Sequence, residues 1–100
     1  MDKREELHNV LVNFLGSNRV YFQPPARLEY PCVIYQLEDF DVDYGDDKVY
    51  RMKKQYTITL IGRNPDTDEF VKNMFSLPYC SFNRRFINDN LYHDVFNLYW

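Results

Sequence analysis

Residues 32–61, CVIYQLEDFDVDYGDDKVYRMKKQYTITLI, decide the fold. They carry no helical period; β-branched and aromatic residues fill both ends, and Gly45-Asp46 lies between them, which is the pattern of a long β-hairpin. With Asp46 as pivot, Cys32 faces Leu60, Ile34 faces Ile58, Phe40 faces Met52 and Val42 faces Tyr50, so the even positions form an apolar face. The other face then sets Asp39 against Lys53, Asp41 against Arg51 and Tyr35 against Thr57. A slip of one residue would mix the two faces, which favours this register, although a bulge near Leu37 would alter it. Arms this long exceed the usual strand of about 5–6 residues, so part of the hairpin is expected to project beyond the core.

On the N-terminal side, Leu7, Val10, Leu11, Phe14 and Leu15 recur at the spacing of one helical face and Gly16 follows as a stop, predicting a first helix over about 3–15. The connector 16–31 holds Pro24, Pro25 and Pro31, which neither continue a helix nor join a central strand. On the C-terminal side, Asn64-Pro65-Asp66-Thr67-Asp68-Glu69 reads as a helix start. Asn64 or Asp66 can cap, Pro65 suits the first turn, and the carboxylates suit the positive end of the dipole. A second helix over about 66–77 buries Phe70, Val71, Met74, Phe75 and Leu77 and stops at Pro78. A second hairpin over about 79–99 turns at Asn88-Asp89-Asn90. With Ile87 facing Leu91, the residues Cys80, Phe82, Phe86, Tyr92, Phe96 and Leu98 share a core face and Arg84 meets Asp94. Ser81, Asn83, Arg85, His93 and Asn97 take the other face. The expected class is α+β in the order α-β-β-α-β-β: one domain over 1–100, with a mixed four-stranded sheet, both helices on one face and a projecting first hairpin.

Composition agrees with a single small domain. One hundred residues hold one core, and 45% apolar with 27% charged residues argue against a disordered chain. A net charge of −3 argues against a protein that wraps duplex DNA, because phosphate neutralisation needs a basic surplus. No apolar run reaches the roughly 20 residues of a membrane helix, and the N-terminus has no apolar signal segment, so synthesis is expected to be cytosolic. The aromatic share of 18% is the anomaly. Phe14, Tyr50, Tyr56, Phe70, Phe75, Phe82, Phe86, Tyr92 and Phe96 fall on expected core faces. Tyr21, Phe22, Tyr30, Tyr35, Tyr44, Tyr79, Tyr99 and Trp100 do not, which points to burial by neighbouring subunits.

No catalytic, cofactor or metal constellation stands out. The acidic run from Glu38 to Asp47 invites a calcium-loop reading, but a loop starting at Asp39 would put Tyr44 where the sharp turn needs Gly and Tyr50 where a bidentate Glu belongs. Lys48, Arg51, Lys53 and Lys54 follow immediately, so the run reads as one arm of a charge-paired ladder, or as a tip that reaches a neighbour. Cys32 and Cys80 lack metal or redox spacing and read as small buried hydrophobes. Cys80 facing Leu98 and His93 facing Arg85 lie roughly 17 Å apart at about 3.3 Å per residue, so they cannot act as a nucleophile and its base. His8 flanks the core stripe of the first helix and reads as a surface histidine. Arg84-Arg85 between Phe82 and Phe86 resembles a platform for single-stranded nucleic acid, but the expected core role of the rings and the Arg84–Asp94 pair explain them as well.

Several stretches together resemble a family of small tailed-phage proteins, the tail terminator or tail completion proteins, also called head-tail joining or minor tail proteins. The likeness covers roughly residues 28–99. It rests on Tyr30-Pro31-Cys32-Val33-Ile34-Tyr35, Asp46-Asp47-Lys48-Val49-Tyr50, Gln55-Tyr56-Thr57-Ile58-Thr59-Leu60-Ile61, Asn64-Pro65-Asp66, Leu77-Pro78-Tyr79-Cys80-Ser81-Phe82 and Asp89-Asn90-Leu91-Tyr92-His93-Asp94-Val95-Phe96. The resemblance implies a non-enzymatic virion protein at the head-proximal end of the tail, assembled in the host cytoplasm as a ring of six. Its implied partners are further copies of itself, the tail tube protein and the head connector or stopper, with genomic DNA passing through the lumen and no membrane involved. On this reading Asp41, Asp43, Tyr44, Asp46, Asp47 and Lys48 form an arm that touches tube, lumen or neighbour, and carboxylates there would let the phosphate backbone slide. A twelve-fold connector or stopper ring and a monomeric phage-encoded binding protein remain the alternatives.

Overall fold

The two apolar residues Leu7 and Leu11, one helical turn apart, are fully buried on helix α1, Lys3–Leu15. Truncating either to Ala costs about 3 kcal/mol at a site of this kind. Phe14 and Leu15 pack half-buried against the same core, and the helix stops at Gly16, whose φ of 74° is a conformation open to glycine and whose N–H returns to the Val12 carbonyl at 2.9 Å. A computed structural model describes residues 3–22, 25–45 and 48–100, with side chains outside 41–52.

The coarse class is α+β, with two helices and a mixed sheet, but the sheet has five strands. The strands are β1 (Val20–Tyr21), β2 (Cys32–Gly45), β3 (Lys48–Gly62), β4 (Cys80–Asn88) and β5 (Leu91–Tyr99), and helix α2 (Asp68–Phe75) lies between β3 and β4. Their spatial order is β1-β2-β3-β5-β4, antiparallel throughout except for β1 beside β2. The expected four-stranded α-β-β-α-β-β order is therefore corrected. The extra strand lies in the proline-rich connector and is two residues long, too short to show any period in sequence.

The register of the first hairpin differs by one from the expected one. Cys32 faces Ile61, Ile34 faces Thr59 and Tyr35 faces Ile58, and at the tip Tyr44 faces Val49 and Gly45 faces Lys48. A bulge at Glu38 shifts the register again, so that Asp39 faces Gln55, Phe40 faces Lys54, Asp41 faces Lys53, Val42 faces Met52 and Asp43 faces Arg51. Val33 and Tyr35, not Cys32 and Ile34, thus enter the core shared with the helices, which also contains Tyr56, Ile58, Leu60, Phe70, Met74, Phe96 and Leu98. Cys32 packs behind the sheet with Ile61 and Leu91, and Tyr21, Leu28, Tyr30 and Ile34 lie against that second cluster.

The second hairpin follows the expected pairing from Cys80 with Leu98 to Phe82 with Phe96. A bulge at Asn83 then moves Arg84 opposite Val95, Arg85 opposite Asp94, Phe86 opposite His93 and Ile87 opposite Tyr92. The turn holds Asp89 and Asn90 at φ of 52° and 62°, a pair of left-handed residues whose twist suits a two-residue hairpin loop. Asn and Asp tolerate that conformation better than other side chains.

Helix α2 is shorter than expected. Asn64 forms a local turn, its Oδ1 accepting the Asp66 N–H at 2.9 Å, and Thr67 stands at the cap position without capping because its hydroxyl donates to Asp94. Phe70 and Met74 are buried, Val71 and Leu77 half-buried, and Phe75 is exposed.

Candidate functional site

Strand β5 pairs β3 only from Gly62 back to Gln55, and the Trp100 N–H donates to the Lys54 carbonyl at 2.9 Å to close that ladder. Beyond this point, among the described residues, β2 and β3 pair with each other alone, as a two-stranded ribbon from Asp41 and Lys53 to Gly45 and Lys48. The molecule is accordingly elongated, 51 × 24 × 22 Å. An isolated ribbon is marginal in water because it has no third strand or helix to cover either face, so a ribbon held out in this way gains most from contact with another surface.

Of the residues expected to form a contact arm, Asp41, Asp43, Tyr44 and Lys48 lie on this ribbon, while Asp46 and Asp47 fall outside the described residues. Acidic and basic arms do oppose each other, with rungs Asp41–Lys53 and Asp43–Arg51 in place of Asp39–Lys53 and Asp41–Arg51. At the ribbon's base the Lys53 ammonium sits 3.7 Å from the centre of the Tyr79 ring, linking the arm to the residue before β4.

Two open edges flank the sheet. Among the described residues β1 pairs with β2 at Val33 and Ile34 alone, and from Gln36 to Phe40 the strand is exposed. β4 is the opposite edge and is exposed from Ser81 to Asn88. Large apolar side chains stand out on both: Leu37 and Phe40 on β2, and Phe82, Phe86 and Ile87 on β4, with Phe40 at 48% and Ile87 at 63% exposure. Exposed edges of this length are templates for strand addition. Across the face of the sheet between them runs a polar trough of about 560 Å³, with Glu38 and Asp39 at one side, Arg84 at the other, and Gln55, Thr57 and Asn97 between.

A buried ionic brace, not legible in the sequence, holds the β4 edge to the α2 entry. Asp94 is 1% exposed and accepts from Arg85 Nε at 2.5 Å, Arg85 Nη2 at 3.0 Å and the Thr67 hydroxyl at 2.7 Å. Arg85 Nη2 also donates to the Pro65 carbonyl at 3.0 Å. Burial pushes the Asp94 carboxyl up, but the hydrogen bonds from Arg85 and Thr67, with the charges of Arg85 and His93, prevail and hold it below the ordinary carboxylate value. The expected partner, Arg84, lies instead over the Phe86 ring, 5.1 Å from its centre.

Other expected positions are also revised. Phe86 stacks on His93 at 4.5 Å outside the helix-facing core, and Phe75 and Phe82 touch Phe96 only by their edges while remaining exposed. Tyr35, expected to be left for neighbours, is buried in the chain's own core, and Phe22, Trp100, Tyr21 and Tyr30 are half-buried against the two clusters. His8 is half-buried and its Nδ1 is 2.9 Å from the Tyr35 hydroxyl. Both cysteines are free thiols, pushed up by burial and so poor nucleophiles near neutral pH.

A cavity of about 450 Å³ that the sequence did not signal opens between the end of α1 and the start of α2, with Phe14, Leu60 and Phe70 inside and Arg63, Asp66 and Glu69 at its mouth. Among the described residues no three His, Cys, Asp or Glu side chains converge as metal ligands. No helix among them is long and apolar enough to cross a membrane. Neither protein-family models nor curated proteins give a match to this chain.

Proposed function

We propose that the chain is a structural ring subunit of a tailed-phage virion, a tail terminator that caps the tail tube, stops its polymerisation and joins the tail to the head connector while DNA passes through the lumen. The observation that carries this reading is the two-stranded ribbon leaving the sheet beyond Gln55, which gives one small subunit a reach well past its own core. A terminator must hold its own neighbours laterally and bind the tube on one face only, since a contact that repeated on both faces would continue the filament. A compact body with two open edges for lateral contacts and one arm for an axial contact meets both requirements. The six-membered ring follows from the resemblance in sequence.

Electron microscopy of virions or purified tails carrying a tagged copy of the chain tests the proposal. Density for the tag at the head-proximal end of the tube is the expected result. Density elsewhere, or none, overturns it, and a twelve-fold ring on the head side would favour a connector or stopper in its place.

A further inference from the structure

We infer that copies of this chain assemble head to tail by antiparallel pairing of β4 of one copy with the exposed stretch of β2, Gln36 to Phe40, of the next. This names the lateral contact of the proposed ring and rests on that reading for its biological setting, although the edges themselves are observed independently.

Three features carry the inference. First, the polarity fits. β3 is antiparallel to β2, β5 to β3 and β4 to β5, so β4 runs opposite to β2. A second copy set down in the same orientation therefore offers β2 to β4 as an antiparallel partner, the more favourable ladder.

Second, the charges are complementary between the two edges and repulsive within each. β2 carries Glu38, Asp39, Asp41 and Asp43 and no Lys or Arg. β4 carries Arg84 and Arg85 and no carboxylate. Arg85 already has Asp94, whereas Arg84 has no carboxylate partner among the described residues. A two-fold dimer made of β4 edges would bring arginines together, and one made of β2 edges would bring carboxylates together. Only the unlike pairing matches sign, and unlike pairing is a heterologous contact, the kind that gives a ring when its rotation closes.

Third, each edge exposes apolar side chains that the other can cover: Leu37 and Phe40 on β2, Phe82, Phe86 and Ile87 on β4. Charge at an edge ordinarily prevents strand addition. Here the same charges exclude the symmetric pairings and leave one open.

Charge exchange tests this on the purified full chain by mass photometry and sedimentation at low salt. The wild type is expected to form closed oligomers. Arg84→Glu alone and the double variant Glu38→Lys/Asp39→Lys alone are each expected to weaken association by roughly tenfold or more. Mixing the two variants is expected to restore it, since each then meets an opposite charge at both of its edges. Thermal melts matching the wild type confirm that the exposed substitutions leave the fold intact, and Arg84→Gln, which adds no negative charge, is expected to give an intermediate loss. Unchanged association of either charge-reversed variant, a mixture that stays dissociated, or a wild type that remains monomeric at millimolar concentration overturns the inference. Tails that lack this chain at their head-proximal end would overturn the tail-terminator reading and leave an observed charge-swapped rescue standing.

Discussion

Arg85 and Asp94 face each other across the β4–β5 ladder, and the guanidinium closes over a carboxylate that is almost wholly removed from water. The pair also reaches Thr67 and the Pro65 carbonyl, so one ionic contact ties the second hairpin to the segment that leads into α2. Deleting the arginine leaves a buried charge with only a hydroxyl for a partner. The Arg85 side chain is 39% exposed and water can partly replace it, which moderates the cost.

Arg85→Ala is accordingly expected to destabilise the fold by about 2 kcal/mol, below the range for a fully buried broken pair. Arg84→Ala, at the neighbouring exposed position, is expected to change stability by less than about 0.5 kcal/mol. Urea unfolding of the two variants checks the contrast; equal losses would contradict the pairing.

The same carboxylate sets an acid dependence. Because the folded-state value of Asp94 is depressed, its contribution is fully present above the ordinary carboxylate value of about 4 and is lost as pH falls through the lower folded value. Stability measured from about pH 6 down to about pH 2 should therefore fall less steeply in Asp94→Asn than in the wild type. Asp94→Asn should also be less stable near neutral pH. A parallel pair of pH profiles would show that Asp94 does not contribute.

The turn of the second hairpin offers a backbone test. Asn90 at φ 62° occupies a conformation that glycine adopts without strain. Asn90→Gly is expected to preserve or raise stability by up to about 0.5 kcal/mol, and Asn90→Val to lower it by about 1–2 kcal/mol through the clash of a β-branched side chain at positive φ. Melting temperatures of the two variants decide this.

Neutralising the acidic arm separates assembly from folding. On the proposed tail-terminator reading, replacing Asp41, Asp43, Asp46 and Asp47 by Asn is expected to impair joining of tails to heads while leaving the melting temperature of the subunit within a few degrees, since the described part of the ribbon beyond Lys54 has no third strand against it. Infectious titre of phage carrying the substitutions, read beside the melt of the purified chain, distinguishes the two effects. Full infectivity would remove the arm's proposed role.

Much of this architecture was legible along the chain. The stripe of α1, the stop at Gly16, the two long hairpins, the turn at Asn88–Asn90 and the opposed charges of the first hairpin's arms all depend on neighbours close in sequence, where period and turn chemistry act directly. What only the tertiary structure decided is which face each side chain takes. The one-residue register offset that ends in Gly45 facing Lys48 sends Tyr35 rather than Ile34 under the helices. The single-residue bulge at Asn83 gives Asp94 the Arg85 guanidinium rather than that of Arg84. In a strand the side-chain period is two, so an offset of one residue exchanges the faces, and whether it occurs is settled by the twist and pairing of strands that lie far apart in sequence. The partner edge β1, two residues long, exists only because β2 lies beside it.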